Sequence, residues 1–234
     1  SIHSVALSGR AAKRMSEATG MKSLTIAKFL RSQALQGDGK LLIVDEASML
    51  DTQTMYRIVT HTTPEVRILL VGDVDQLSPI GAGHVLRDVV NSTMIPTTEL
   101  DVVKRQKGDS GIPGYSQAIR TGVVPSKLTT EHVFFHEVEP EKIDATCISL
   151  VSENPKSTMI LGATYKSVYG GINKLNSLAQ TALNPGAKRW EFYVDGEYKH
   201  LDIYDGDPVI FTANDYNADI QNGTLGRMTS VNQE

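Results

Sequence analysis

The chain has 234 residues, 40% of them hydrophobic and 21% charged, with a formal net charge of −4 and a single cysteine, Cys147. That is an ordinary globular composition, sized for one large domain or two small ones, and one cysteine excludes an internal disulfide framework and a cysteine-cluster metal site. No run of about 18 apolar residues offers a membrane span and no charged-then-apolar leader opens the chain, so a cytoplasmic protein without membrane contact is expected.

The charge is unevenly placed. Residues 1–31 hold Arg10, Lys13, Arg14, Lys22, Lys28 and Arg31 against Glu17 alone, a local charge of +5. Local patches, not totals, bind phosphates; a solvated basic helix face is the plain alternative. Ile2 to Leu7 reads as a strand, Ser8-Gly9 as a turn, and Arg10 to Ala18 as a helix stopped by Gly20. A strand, a small-residue turn and a helix N-terminus leave free backbone N–H groups that suit a phosphate. Thr25 to about Leu35 reads as a second helix.

Leu41-Leu42-Ile43-Val44 follows as an unbroken apolar run and ends in Asp45-Glu46. Such a run predicts a strand buried on both faces of a parallel sheet. Its carboxyl end is where open α/β sheets hold ligands. One carboxylate there can hold Mg²⁺ while its neighbour positions a water, the Walker B pattern of nucleotide triphosphatases; a strand running into a solvated acidic turn is the plain alternative. Asp51 or Thr52 can cap a helix through Thr60. Arg67 to Val71 predicts a second buried strand, ending in Gly72-Asp73-Val74-Asp75-Gln76. The strand–helix–strand unit brings Asp45, Glu46, Asp73 and Gln76 to one sheet edge. The phosphate-cradling pattern G-x-x-x-x-G-K-[ST] is not met at Gly39-Lys40, since Ala34 and Leu41 occupy the required Gly and Ser/Thr positions, and it occurs nowhere else.

Pro79 to Gly83 reads as a turn, His84 to Val90 as a helix and Met94 to Leu100 as a strand. A loop at 107–114 precedes a helix from Tyr115 to Arg120. Val133 to Val138 reads as an edge strand, Pro140 to Ser152 as a helix, Thr158 to Gly162 as a strand and Ser167 to Leu183 as a long helix. Asp195-Gly196, Asp205-Gly206 and Asn222-Gly223 are hairpin signals that predict a small β module. His84, His132 and His136 read as surface or satisfied polar groups rather than metal ligands, Asp75 as a turn residue or one that supports the site from behind, and Trp190 and Tyr216 as packing residues of that module, with stacking on bases the alternative.

The ordered set resembles the RecD-like branch of superfamily 1B DNA helicases. Ala6-Leu7-Ser8-Gly9-Arg10-Ala11-Ala12-Lys13-Arg14 looks like motif Ia, with Leu7-Ser8 where the family more often has Pro-Thr. Thr25-Ile26-Ala27 resembles the Thr-Ile-His segment, with Ala27 in place of the His. Val44-Asp45-Glu46-Ala47-Ser48-Met49 matches motif II, and Val71-Gly72-Asp73-Val74-Asp75-Gln76-Leu77-Ser78-Pro79 matches motif III. Leu100 through Arg105-Gln106 looks like the segment whose arginine reaches the ATP γ-phosphate. Leu161-Gly162-Ala163-Thr164 resembles the opening of the second motor domain. Asn214-Asp215-Tyr216-Asn217 with Asn222-Gly223-Thr224-Leu225-Gly226 resembles an SH3-like insertion.

The resemblance implies an α/β fold of RecA-like, parallel-sheet P-loop NTPase motor domains. Residues 1–112 would form the first, 113–188 a linker and the start of the second, and 189–234 the β-rich SH3-like insertion. Walker A would lie upstream of Ser1 and the last helicase motifs beyond Glu234, so the chain alone is expected to be inactive. Asp45 would hold Mg²⁺ and Glu46 would act as base; Asp73, Gln76 and Arg105 would complete the ATP site. Ser8, Gly9, Arg10, Lys13 and Thr25 would contact single-stranded DNA. Implied partners are single-stranded and duplex DNA and a larger helicase–nuclease or conjugation complex. The implied activity is ATP-driven 5′–3′ translocation and unwinding; a non-catalytic helicase-like binding module is the alternative.

Overall fold

A computed structural model describes residues 1–100, 111–194, 197–213, 215, 218, 220 and 223–229. The chain divides into two units, residues 1–126 with 210–224, and residues 127–209 with 225–234.

The first unit is built on a parallel sheet of β1 (Ile2–Ala6), β2 (Ser23–Thr25), β3 (Leu41–Asp45) and β4 (Arg67–Leu70), in the order β2-β1-β3-β4. Its crossovers carry α1 (Gly9–Thr19), α2 (Ile26–Phe29) and α3 (Thr52–Thr60), and α4 (Val85–Ser92) follows β4. The register sets Ala6 against Thr25 on one side and against Asp45 on the other. The carboxyl ends of β1, β2 and β3 therefore share one edge. Leu42, Val44, Leu50 and Ile58 are fully buried, with Val5, Phe29, Leu35 and Leu86 around them. Burying each such side chain contributes roughly 1.5–3 kcal/mol.

Local chemistry explains the helix ends. Ser8 Oγ accepts the Ala11 N–H at 3.1 Å and caps α1, and Gly20 at φ 69° closes it. Asp51 Oδ1 accepts the Thr54 N–H at 2.6 Å and caps α3.

Several expectations are corrected. The predicted helix from Thr25 to Leu35 is one short turn, α2. Thr25 instead ends the edge strand β2, its hydroxyl caps Lys28 N–H at 3.2 Å, and Leu35 leaves to bridge Thr62 and become buried. The central strand alternates, with Leu42 and Val44 buried and Leu41, Ile43 and Asp45 only half-buried. β4 is not a buried strand: it ends the sheet order, and Leu69 is 47% exposed. Residues 94–100 form no strand and are exposed.

In the second unit, α6 (Ile143–Glu153) follows a 3₁₀ turn at Pro140–Lys142, and α7 (Ile172–Leu183) packs on α6. Within the first unit α5 (Ile112–Arg120) precedes residue 127. The predicted strands at 133–138 and 158–162 are absent. Around the former, Val133 N–H donates to Thr130 Oγ1 and Phe135 N–H to Thr129 Oγ1, local bonds that replace a ladder. The long helix starts at Ile172, not Ser167. Ile172 and Asn173 N–H reach back to the Thr164 and Tyr165 carbonyls, and Gly170 at φ 68° folds the intervening loop. One hairpin signal, Asp195-Gly196, falls between paired strands: β5 (Arg189–Val194) pairs antiparallel with β6 (Glu197–Tyr204). β7 (Pro208–Ile210) pairs with β8 (Leu225–Arg227), so Asp205-Gly206 links two separate sheets and is no hairpin turn. Trp190 Nε1 donates to Asp205 Oδ1 at 2.9 Å and ties the start of β5 to the turn after β6. No helix among the described residues is long and apolar enough to cross a membrane.

Candidate functional site

Asp45 is the last residue of β3, and its Oδ1 accepts the N–H of Glu46 at 2.9 Å. Glu46 is exposed and stands in the left-handed region, φ 55° and ψ 38°. A non-glycine side chain resists that conformation, and such outliers collect at functional sites. The kink is held from both sides. Ala47 N–H donates to the Val71 carbonyl at 2.9 Å, and Val71 N–H to the Val44 carbonyl at 2.8 Å. The backbone pairing of β3 and β4 thus runs past both strands into the two loops.

Gly72 makes that approach possible. A Cβ there would stand 2.9 Å from Ser48 N and from Leu86 Cδ2, and 3.0 Å from Ala47 N. The next residues form a tight turn. Asp73 Oδ1 accepts the Asp75 N–H at 3.0 Å, the Asp73 carbonyl accepts the Gln76 N–H at 3.0 Å, and Asp73 Oδ2 accepts from the Gln76 side-chain amide at 3.4 Å. Arg87 Nη2 donates to the Val74 carbonyl at 2.9 Å and ties the turn to α4. Ser48, 8% exposed, has an Oγ with no partner among the described residues, beside a small cleft lined by Val74, Ser78, His84, Leu86 and Arg87.

One participant escaped sequence reasoning. Arg120, the last residue of α5, sends Nη2 to Asp75 Oδ2 at 2.8 Å and Nη1 to Asp73 Oδ2 at 3.8 Å. A lone arginine at a helix end carries no sequence signal beyond charge opposite to that of the acidic turn. Asp75, read as a turn residue or one that supports the site from behind, holds this ion pair.

The basic stretch lies at the same sheet edge. Ser8, Arg10, Lys13 and Arg14 are exposed at or near the start of α1, and Gly9 is buried. The Ser8 hydroxyl is engaged as the helix cap, and Thr25 is 5% exposed and caps α2. Gly223 comes close to this helix: a Cβ there would lie 3.7 Å from Arg10 Cβ. Arg105 lies outside the described residues, as do Asn214, Tyr216, Asn217 and Asn222. No group of three or more His, Cys, Asp or Glu side chains that could hold a metal occurs among the described residues. His132 is exposed beside Glu131. Cys147 is half-buried.

Residues 1–140 match the family model described as an AAA domain. The ATP-dependent RecD2 DNA helicase of Deinococcus radiodurans is 32% identical over 228 residues, covering 93% of this chain and 30% of that protein. The RecBCD enzyme subunit RecD of Mycolicibacterium smegmatis is 27% identical, over 94% of this chain and 42% of that protein. The conjugal transfer protein TraA of Rhizobium radiobacter is also 27% identical, over 95% of this chain and 21% of its own length. The chain thus spans less than half of each of these relatives. The crystal structure of Bacteroides Pif1 bound to ssDNA shares the fold, with a TM-score of 0.50 at 14% identity over 99% of this chain and 66% of that one. With an AAA-domain match over more than half its length, and motifs II and III meeting at the edge of a RecA-like parallel sheet, the chain belongs to the RecD-like helicases of superfamily 1B.

Proposed function

We propose that this chain is the central part of an ATP-driven DNA helicase, which translocates 5′ to 3′ on single-stranded DNA and unwinds duplex. The observation that carries the reading is the convergence of Asp45-Glu46 and Asp73-Gln76 on adjacent strand ends, bonded through Ala47 and Val71, with the basic start of α1 on the next strand of the same edge.

ATP would be the substrate and Mg²⁺ its counterion. The donor set fits that ion: one half-buried carboxylate, Asp45, leaves the remaining positions to water and phosphate oxygens, as Mg²⁺ prefers. When bound, the ion neutralises charge on the phosphates. Glu46, exposed beyond the strand end, would orient and deprotonate the attacking water. Gln76 would contact the γ-phosphate from the motif III turn and pass its state to the rest of the loop. Arg105 would offset charge on the transferring phosphoryl group. Ser8, Gly9, Arg10, Lys13 and Thr25 would grip the DNA backbone, with Thr25 acting by positioning α2, given its burial. The likeness to RecD and TraA proteins supports a role within a recombination or conjugation assembly.

The test is DNA-stimulated ATP hydrolysis by the full-length protein. Glu46→Gln is expected to retain nucleotide binding and lose turnover by at least about 100-fold, the range of a missing general base. Near-normal turnover in that variant would assign the base elsewhere. Absence of hydrolysis in the wild type, with single-stranded DNA binding intact, would favour a binding module.

A further inference from the structure

We propose that Arg120 is a positioning residue for motif III, clamping Asp73 and Asp75 so that Asp73 can hold Gln76 and tying that turn to α5. The inference rests on the reading of Gln76 as the γ-phosphate contact.

The turn has an electrostatic problem that Arg120 solves. Asp73 and Asp75 are two residues apart in one tight turn, and both side chains are partly exposed, at 41% and 47%. Like charges so close push the turn open. Arg120 places one guanidinium nitrogen 2.8 Å from Asp75 Oδ2 and the other 3.8 Å from Asp73 Oδ2. The same Asp73 Oδ2 accepts the Gln76 amide at 3.4 Å, and Asp73 Oδ1 accepts the Asp75 N–H. A planar guanidinium can bond Asp75 through one nitrogen while its delocalised charge reaches Asp73 through the other, whereas an ammonium is a point charge that serves one acid. Arg87 anchors the middle of the turn through the Val74 carbonyl, so Arg120 adds the second fixed point, on the acids themselves.

Arg120 also closes α5, the last helix before residue 127, where the first unit gives way to the second along the chain. Any shift of α5 therefore bears on the residue that orients Gln76, and any shift of Gln76 bears on α5. The pair is surface-exposed and adds little to global stability. Its contribution is placement.

Two measurements on the full-length protein test this. Hydrogen exchange of the segment 72–77 is expected to be faster in Arg120→Ala, with the melting temperature unchanged. In steady-state hydrolysis, Arg120→Ala is expected to lower kcat by about fivefold, the reach of a weak exposed ion pair. Its affinity for single-stranded DNA should be unchanged. Arg120→Lys should recover only part of the loss, because an ammonium seated on Asp75 leaves Asp73 unserved. Asp75→Asn combined with Arg120→Ala should be no worse than Arg120→Ala alone. Unchanged exchange in Arg120→Ala, or additive losses in the double variant, would overturn the proposal. Faster exchange in a protein whose wild type hydrolyses no ATP would leave the clamp standing and remove the motor reading instead.

Discussion

Gly81 runs so close over Asp51 that a Cβ at position 81 would lie 2.0 Å from Asp51 Oδ2. The contact joins the turn that follows motif III to the start of α3, because Asp51 is the cap of that helix and the Thr52 N–H donates to the Ala82 carbonyl at 3.0 Å. Gly83, at φ 95°, continues the same crossing above the Thr52 side chain. Gly81→Ala must push the Asp51 carboxylate off Thr54, so it is expected to cost about 1 kcal/mol, the ordinary value of a helix cap. Urea unfolding of the single variant and of Gly81→Ala with Asp51→Ala would check this. The two changes remove the same cap, so the double variant should be little worse than Asp51→Ala. Full additivity would place the cost of Gly81→Ala elsewhere.

Much of the first unit was legible because its signals are local. Leu41 to Val44 announces a strand by composition, Ser8-Gly9 announces a turn into a helix, Asp51 announces a helix start by its capping oxygen, and Gly20 announces a stop. The acid pairs at two strand ends needed only the strand–helix–strand unit to be brought together. What was not legible depends on partners distant in sequence. Ser23–Thr25 is too short to show a period, and it is a strand only because Ser4 to Ala6 pairs with it. Apolar runs at 94–100 and 158–162 look like strands but find no ladder among the described residues. Arg120 meets Asp73 and Asp75 across more than 40 positions, and no spacing rule reaches that far.

Glu46 supplies a second test, in which stability and activity move in opposite directions. Its φ of 55° costs a non-glycine residue on the order of 1 kcal/mol. Glu46→Gly removes that strain but also loosens the unfolded chain, so a net gain of up to ~1 kcal/mol is expected. Glu46→Ala keeps the strained backbone and should show no gain. Both variants should lose hydrolysis. Denaturant midpoints at matched slopes settle the comparison; a less stable Glu46→Gly variant would mean that the Glu46 side chain makes a stabilising contact in the fold.

In the second unit, Asp144 is buried against α7. Its Oδ2 meets Lys174 Nζ at 2.6 Å and its Oδ1 accepts the Gly170 N–H at 2.7 Å. The hydrogen bond from Lys174, and then that from Gly170, hold its carboxyl below the usual 3.8. A carboxyl depressed by folding stabilises the folded form at pH values above its unfolded pKa. That contribution is lost as pH falls through the lower folded value. Asp144→Asn keeps an acceptor for Gly170 but drops the charge. The wild type should therefore melt higher than Asp144→Asn at about pH 7, with the gap closing as pH falls below the usual carboxyl range. A gap that persists unchanged in acid would show that the stabilisation is not ionic.

Arg10 and Lys13 are exposed on the first turns of α1, at the sheet edge that also carries Asp45. If they bind DNA phosphates, each contact releases condensed counterions. For single strands, losing one contact should reduce the salt dependence of log K by about 0.7. Arg10→Ala is thus expected to weaken binding of a homopolymeric single strand and to flatten the salt slope by that amount, with little dependence on base sequence. Lys13→Ala should do the same, and the pair should add, because two phosphate contacts release counterions independently. Neither residue caps α1, a task done by the Ser8 side chain, so melting temperatures should hold. Binding titrations at four or five salt concentrations distinguish the outcomes. An unchanged slope in both variants would mark this helix face as merely solvated and move the DNA contact of the first unit elsewhere.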